Sequence, residues 1–336
     1  MFKKLFPALT AMMSIALLSI AYLAPAHAED DVRIALVVKA MGIGFFEAAN
    51  EGALEAAEEL GNVEIIYTGP TTTTAEGQIE VISSLIAQRV DAIAVSANDQ
   101  DALVPILSRA QQRGIKVISW DSGVAPEGRS VHLSPSSDDL IGRMNVQLAA
   151  DALEAKGVSS GQMAILSATP TSTNQNVWIE EMKKVLPEFP QLEFVDTVYG
   201  DDLADKSYRE AVALMRNHPD LDVIVAPTTV GILAAAQAVS DEGRVGEVYV
   251  TGLGLPSELA GHVESGAMHN FAIWNPIDLG YAATTIAYNL VMDNATETSV
   301  DMGRMGTAQL DENGSAAMAE PFIYDATNVQ DFADIF

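Results

Sequence analysis

The chain has 336 residues, of which 49% are hydrophobic and 19% charged, a composition typical of a globular protein with one large or two ordinary domains. Its 46 acidic and 18 basic residues give a formal net charge of −28, which argues against nucleic acid or an anionic membrane surface as a partner. The sequence contains no cysteine, which excludes disulfide scaffolds, thiol nucleophiles, cysteine-bound zinc and iron–sulfur clusters.

The first 28 residues predict a secretory signal peptide. Lys3 and Lys4 form a positive start, residues 5–23 are largely apolar, and Ala26-His27-Ala28 is a cleavage pattern of small residues. An uncleaved membrane anchor is the alternative, but Pro7 interrupts the apolar run. Cleavage after Ala28 would leave 308 residues with a net charge of −30. Because no cysteine is available for lipid attachment, we expect the mature chain to be free in the periplasm, without membrane insertion.

Apolar runs of strand length alternate with stretches of helical period in the first part of the chain, a pattern typical of parallel βαβ units. The pattern predicts strands over 32–38, 63–67, 91–96 and 115–120 and a short extended piece over 130–134. Helices are predicted over 46–60, 79–90 and 101–113. Four strands with intervening helices indicate a doubly wound lobe.

The same alternation begins again at residue 138. Helices are predicted over 138–155, 177–186, 205–217, 231–239 and 278–292, and strands over 163–167, 192–199, 222–226, 247–251 and 271–274. The stretch 294–313, rich in Gly and Asp, has no assignable pattern. These elements predict a second lobe of the same α/β design. No Gly/Ser or Pro linker separates the lobes, so we expect ordered crossing segments between them and a ligand site in the cleft.

The residues that follow the predicted strands are polar or aromatic, and ligands of open α/β sheets bind at the carboxyl ends of strands. Lys39, Asp121 and the pair 174–175 are predicted to hydrogen-bond ligand hydroxyls, with the aspartate accepting two. Aromatic rings are predicted to stack on a sugar ring, and a second wall to oppose them. The candidates are Lys39, Phe45, Asp121, Asn174, Gln175, Pro227, Thr229, Trp274 and Asn275. This mixture of groups suits a neutral sugar.

Several of these positions have structural alternatives. Lys39 could be a solvated lysine at a strand end, and Asp121 could cap a turn in Asp-Ser-Gly. Asn174 could be the N-cap of the helix that follows it. Phe46 fits the apolar face of its helix and is predicted to be a core residue, whereas Trp178 fits the core and the pocket equally well.

Signatures of enzymes are weak or absent. The sequence has no Walker A loop, no H-E-x-x-H and no G-x-S-x-G. Gly252-Leu253-Gly254-Leu255-Pro256 matches half of a dinucleotide fingerprint, but it lacks the third glycine and has a proline where the helix should open. The histidines lack ligand spacing, so no metal or cofactor is predicted. Acidic pairs such as Asp201-Asp202 are too common here to identify a glycosidase dyad, which leaves a secreted carbohydrate-active hydrolase as an alternative.

Eight strings, taken in their order, resemble type I periplasmic sugar-binding proteins of ABC importers. The similarity extends over essentially the whole mature chain and is strongest to rhamnose-binding proteins and to their relatives that bind the quorum signal autoinducer-2. The strings are Lys39 ahead of Gly-x-Gly-Phe-Phe, Glu76-Gly-Gln-Ile-Glu, Val95-Ser-Ala-Asn-Asp, Ser119-Trp-Asp-Ser-Gly, Thr171-Ser-Thr-Asn-Gln-Asn, Ala226-Pro-Thr-Thr, Gly252-Leu-Gly-Leu-Pro-Ser and Trp274-Asn-Pro-Ile-Asp-Leu-Gly-Tyr.

The resemblance implies two Rossmann-like lobes joined by a hinge of three crossing segments, which close on one ligand. The expected lobes are 29–134 with about 275–312, and 135–274 with about 313–336. It also implies a monomer without enzymatic activity that delivers a sugar to an ABC permease, with a chemoreceptor as a further candidate partner.

Ligand-contacting positions of the autoinducer-2 group match Lys39, Asp121, Gln175 and Pro227. Two other positions depart from that group, which has aspartate in place of Asn174 and alanine in place of Thr229. The loss of a carboxylate and the added β-branched side chain are both expected to weaken autoinducer-2 binding and to admit a pyranose with a methyl group. L-rhamnose is therefore the predicted ligand, and an autoinducer-2 receptor is the alternative.

Overall fold

The computed structural model describes residues 31–336, so the predicted signal peptide lies outside the described residues. The strands are β1 Val32–Val37, β2 Val63–Thr68, β3 Ala92–Val95, β4 Lys116–Trp120, β5 Val131–Ser134, β6 Gly161–Ser167, β7 Leu192–Tyr199, β8 Leu221–Ala226, β9 Tyr249–Gly252, β10 Asn270–Ile273, β11 Ser299–Asp301, β12 Thr307–Gln309, β13 Ser315–Ala317 and β14 Phe322–Asp325. The helices are α1 Gly44–Leu60, α2 Ala75–Gln88, α3 Val104–Gln111, α4 Asp138–Lys156, α5 Thr173–Val185, α6 Ala204–Asn217, α7 Thr229–Asp241, α8 Pro256–Ser265, α9 Pro276–Val291 and α10 Val329–Phe332.

The first lobe is built on a six-stranded parallel sheet with the order β13-β5-β4-β3-β1-β2. Helices cover both faces, so alternate residues of β1 enter different cores. Ile34 and Leu36 belong to the core that includes α1, whereas Ala35 and Val37 belong to the core that includes α2. Burial on both faces explains why β1 is apolar from Ile34 to Val37.

The second lobe repeats this design in a four-stranded parallel sheet with the order β7-β6-β8-β9. An isolated parallel bridge from Leu253 to Ala272 places β10 beside this sheet, and β14 pairs antiparallel with β10. The predicted α/β fold of two doubly wound lobes is confirmed. In each sheet the strand order reverses beside the first strand of the lobe, which creates a crevice at the carboxyl ends.

The chain passes between the two sheets three times, at residues 135–137, 274–275 and 318–321. The helix α9 follows the second passage and packs on α1 of the first lobe. The third passage lies later than the expected boundary near residue 312, because Ser315–Ala317 pairs with β5 at the edge of the first sheet. The residues up to 317 therefore belong to the first sheet.

Several local elements differ from the sequence predictions, and three of them have a clear physical reason or location. The helix α8 was not among the predicted helices, and it begins at the proline that departs from the dinucleotide fingerprint. Proline is favoured at the first helical position, because its missing N–H loses no hydrogen bond there. The unassigned stretch contains the β11–β12 hairpin. Helix α5 begins at Thr173, four residues before the predicted start at 177, because its first turn is polar and lacks an apolar period.

The helices α1 and α9 approach each other closely through two glycines. A Cβ atom at Gly52 would overlap the carbonyl oxygen of Ile277, and one at Gly280 would overlap that of Ala49. This packing joins the start of α9, directly after the second crossing segment, to the core of the first lobe. In the described part of the chain, no helix has the length and apolar character needed to cross a bilayer.

Candidate functional site

A cavity lies between the two sheets, where the carboxyl ends of their strands face each other. Eight of the nine predicted site residues line it, and both lobes contribute to the set: Lys39, Phe45, Asp121, Asn174, Gln175, Pro227, Thr229 and Trp274. The structure therefore brings together side chains that lie as far as 235 positions apart in the sequence. Among the described residues, no cluster of three or more acidic or histidine side chains is arranged to hold a metal ion.

Lys39 follows β1 and reaches across to the second lobe. Its Nζ donates hydrogen bonds to Ser172 Oγ at 3.0 Å and to Asn174 Oδ1 at 2.8 Å. The side chain is buried, which excludes the alternative of a solvated lysine. Burial lowers the pKa of Lys39, and the nearby carboxylates of Asp121 and Asp202 oppose that shift. The ammonium is thus a desolvated donor aimed into the interlobe cavity.

Asp121 follows β4 with a left-handed backbone, φ 59°. Its Oδ2 accepts from Ser96 Oγ at 2.7 Å, and its Oδ1 accepts from Asn174 Nδ2 at 3.1 Å across the cleft. Burial raises the pKa of Asp121, and the charge of Lys39 and these two hydrogen bonds oppose the shift. Each carboxylate oxygen can accept a second hydrogen bond, so the group retains capacity for ligand hydroxyls.

Asn174 and Gln175 lie in the first turn of α5. Asn174 is not the N-cap, because the cap position is Ser172 and the Asn174 amide bridges Lys39 and Asp121. Gln175 Oε1 accepts from Ser167 Oγ and from the backbone N–H of Ala168, at 2.7 and 2.8 Å. These two bonds orient the glutamine amide, whose Nε2 has no hydrogen-bond partner among the described residues and is free to donate.

Four aromatic rings form one side of the cavity. The centroids of Phe45 and Trp274 lie 6.2 Å apart with perpendicular planes, and Trp178 contacts Trp274 at 5.7 Å. Trp178, left open between core and pocket, lines the cavity while its Nε1 donates to Asp138 at 2.9 Å. Phe46, predicted to be a core residue, both packs on Trp120 and lines the cavity. These faces can accommodate the apolar side of a sugar ring.

The opposing wall comes from the segment after β8. Pro227 is buried and Thr229 is partly exposed at the start of α7. Between them, Thr228 caps α7 by accepting from the backbone N–H of Gly231, and its hydroxyl donates to Asp202. The cap explains why α7 begins directly at the cavity.

Asn275 is the one predicted site residue that does not line the cavity. Its Oδ1 accepts from the backbone N–H groups of Ile277 and Asp278, at 2.9 and 3.4 Å, so it caps α9. Asparagine is favoured at the N-cap and proline at the first helical position. The sequence Asn275-Pro276 is therefore a local signal for this structural role.

Asp202 is the charged cavity residue that sequence reasoning did not select. It follows β7 by three positions and faces the same cavity as Lys39 and Asp121. Burial raises the pKa of Asp202, and the charge of Lys39 opposes the shift. Residues that follow β7 are also at the carboxyl end of a strand. Asp202 was not selected because acidic pairs such as Asp201-Asp202 are common in this chain. The remaining lining residues are apolar: Ile43, Leu253 and Ile273.

Comparisons with known proteins agree with this architecture. The model of the periplasmic binding protein domain family matches residues 34–295. The D-ribose/D-allose-binding protein of Pseudomonas aeruginosa is 27% identical over 251 residues, which are 73% of this chain and 78% of that protein.

Two solved structures share the fold over most of the chain. An ABC transporter solute-binding protein from Clostridium phytofermentas with bound L-rhamnose is 33% identical, with a TM-score of 0.85 over 91% of this chain and 99% of its own. LsrB from Clostridium saccharobutylicum in complex with AI-2 is 24% identical, with a TM-score of 0.85 over 90% and 99%. The chain therefore belongs to the type I periplasmic sugar-binding proteins of ABC transporters, as its sequence motifs indicated.

Proposed function

We propose that this protein binds L-rhamnose between its lobes and delivers the sugar to an ABC permease. The observation that carries the proposal is the composition of the cavity, which combines one ammonium, two carboxylates, two amides and four aromatic rings. The hydroxyl groups of a sugar can donate to the carboxylates and accept from Lys39 and Gln175. One face of the sugar ring can then pack on Phe45 or Trp274. Such a site binds a neutral, hydroxyl-rich ring and holds no activated nucleophile.

The choice of L-rhamnose rests on three further observations. The C. phytofermentas protein, 33% identical over nearly its whole length, carries that sugar. Asn174 lies 3.1 Å from the Asp121 carboxylate and donates to it. An aspartate at this position would place like charges side by side, so the asparagine favours a ligand that does not require a third carboxylate. Thr229 adds a methyl group and a hydroxyl to the opposing wall.

We further propose that the chain is exported with cleavage after Ala28, acts as a monomer and catalyses no reaction. In this mechanism the open form exposes the cavity, the ligand contacts both lobes, and closure forms the surface that the permease binds. A chemoreceptor would dock on the same closed form.

Calorimetric titration of the purified mature chain tests the ligand. The series should contain L-rhamnose, L-fucose, D-ribose, D-allose, D-xylose and autoinducer-2. We expect L-rhamnose to bind most tightly and to raise the melting temperature. Tighter binding of any other compound, or no binding of L-rhamnose, would reject the assignment.

An autoinducer-2 receptor is the second candidate function. Lys39, Asp121, Gln175 and Pro227 match ligand-contacting positions of that group, and three of them carry polar groups directed at the cavity. The same titration separates the two candidates. Incubation with aryl glycosides tests the hydrolase alternative, for which we expect no release of the aryl group at any protein concentration.

A further inference from the structure

Asp202 lines both the inner cavity and a wider outer cleft. The cleft has a volume of about 790 Å³ and opens between the loops that follow β1 and β2 and the helices α6 and α7. Ile43, Asp202 and Thr229 line both spaces. The Asp202 carboxylate is therefore within reach of a ligand in the inner cavity.

The backbone of this loop is built to present the carboxylate. Asp201 and Asp202 are consecutive non-glycine residues in the left-handed region, with φ 57° and 50°. Aspartate tolerates this conformation better than most residues, but two in succession are uncommon and carry a conformational cost. The Asp201 N–H donates to the carbonyl of Ala168 at 2.7 Å, and its carboxylate accepts from Lys206. These two contacts fix the position of Asp201 in the loop, and the next residue, Asp202, lines the inner cavity.

Only part of the Asp202 carboxylate is satisfied by the protein. Oδ1 accepts from the Thr228 hydroxyl, whereas Oδ2 has no hydrogen-bond partner among the described residues. The charged side chains lining the inner cavity are Lys39, Asp121 and Asp202, which give the described cavity one net negative charge when all are ionised. The buried carboxylate of Asp121 and the half-buried carboxylate of Asp202 favour hydrogen-bond donors, and an anionic ligand would meet both of them against a single ammonium.

We propose that Asp202 is an additional sugar-binding residue, which accepts a ligand hydroxyl through its free oxygen and, with Asp121, selects uncharged hydroxyl-rich ligands over acidic sugars. This inference rests on the proposed sugar-binding function. It assigns to the loop after β7 a role that neither the sequence motifs nor the resemblance indicated.

Asp202→Asn tests the role, because asparagine keeps the size, the left-handed backbone and an oxygen for Thr228 but removes the charge. Asp201→Asn is the matched control in the same loop, since its carboxylate points to Lys206 and away from the cavity. We expect Asp202→Asn to weaken L-rhamnose binding at least tenfold and Asp201→Asn to change it less than twofold. Equal affinities of Asp202→Asn and the wild type, or equal losses in both variants, would overturn the proposal.

Two further measurements separate this proposal from the proposed function. If the wild type binds another sugar of the titration series, the rhamnose assignment fails and that sugar becomes the probe for the two variants. If the wild type binds none of these sugars, the melting temperatures of the two variants test the inference. A lower melting temperature for Asp202→Asn than for Asp201→Asn would reveal a structural role and reject the inference, whereas an equal or higher one agrees with a carboxylate held ready for a ligand.

The selection of uncharged ligands has its own test in D-glucuronate and D-galacturonate. We expect neither acid to raise the melting temperature of the wild type. Binding of either acid as tight as that of L-rhamnose would refute the ligand class.

Discussion

Asn174 joins the two lobes at the level of single residues, because its amide accepts from Lys39 and donates to Asp121. An amide serves both partners without adding a charge to the cavity. Position 174 is one of the two at which the sequence departs from the autoinducer-2 group, which has an aspartate there.

We therefore predict that Asn174→Asp weakens L-rhamnose binding about tenfold or more, because the lost donor and the added charge together cost about 1–3 kcal/mol. Affinity for autoinducer-2 should rise in the same variant. Calorimetric titration with both ligands measures the change. Asn176→Asp is the control, since Asn176 lies two residues further along α5 and its amide donates only to the carbonyl of Pro170. Unchanged ligand preference in Asn174→Asp would contradict the specificity argument.

At the scale of elements, the packing of α1 on α9 depends on two glycines that face opposite backbones. An added methyl group cannot be accommodated by a side-chain rotation, because its neighbours are carbonyl oxygens of the partner helix. The two helices would have to separate, and α9 begins directly at a crossing segment.

Gly280→Ala is thus expected to lower the free energy of unfolding by about 2 kcal/mol or more. Gly261→Ala is the matched control, because Gly261 lies on the exposed face of α8 and a Cβ atom there would meet no other atom within 4 Å. That substitution should stabilise the protein by about 0.5–1 kcal/mol through helix propensity. Urea denaturation of both variants measures these free energies. An unchanged free energy of unfolding in Gly280→Ala would show that α1 and α9 can separate without loss of stability.

The pairing of β4 with β5 contains a half-buried histidine that confers acid sensitivity. His132 Nδ1 lies 2.9 Å from Ser119 Oγ, and burial, with a smaller effect of Arg129, lowers the pKa of His132 to about 4. Between about pH 6.5 and 4 the unfolded chain takes up a proton that the folded protein resists, so stability falls as the pH falls. The raised pKa values of Asp121 and Asp202 have the opposite effect on stability, because these carboxyl groups bind protons more readily in the folded protein as the pH falls.

Because these effects overlap, the contribution of His132 is measured as a difference between two proteins. The free energy of unfolding of the wild type should fall relative to that of His132→Gln by at most about 3 kcal/mol between pH 6.5 and 4. Urea denaturation at several pH values gives both curves. Parallel curves would mean that folding leaves the pKa of His132 unchanged.

For the whole molecule, closure of the two lobes is held by hydrogen bonds inside and outside the cavity. The outer contact runs from Thr73 Oγ1 to the carbonyl oxygen of Asp201, at 2.7 Å. Thr73 follows β2 of the first lobe, whereas Asp201 follows β7 of the second. The contact favours the closed arrangement without touching the cavity.

Thr73→Val is therefore expected to weaken ligand binding about two- to tenfold, because a lost hydrogen bond of about 0.5–1.5 kcal/mol reduces the population of the closed form. Thr72→Val is the control, since the Thr72 side chain is exposed and makes no such contact in the described structure. Small-angle scattering should show a larger mean radius for unliganded Thr73→Val. Equal affinities and radii for both variants would exclude a role for this contact in closure.

Much of this architecture follows from local patterns in the sequence. Strand-length apolar runs alternating with helical periods predict two doubly wound lobes, since a strand buried on both faces must be apolar throughout. The carboxyl ends of parallel strands meet at one edge of a sheet, so the positions of Lys39 and Asp121 after their strands predict that they converge.

Only the tertiary structure determined how the carboxyl edges of the two sheets face each other. It also determined which polar side chains at these edges have hydrogen-bond partners. Asn174 contacts Lys39 and Asp121 only because the lobes are closed, and no spacing in the sequence specifies that distance. Asn275 is used locally as a helix cap, whereas the backbone of the loop after β7 turns Asp202 into the cavity. Sequence patterns specify which residues end a strand, but the direction of each side chain depends on backbone angles and partners that only the folded chain provides.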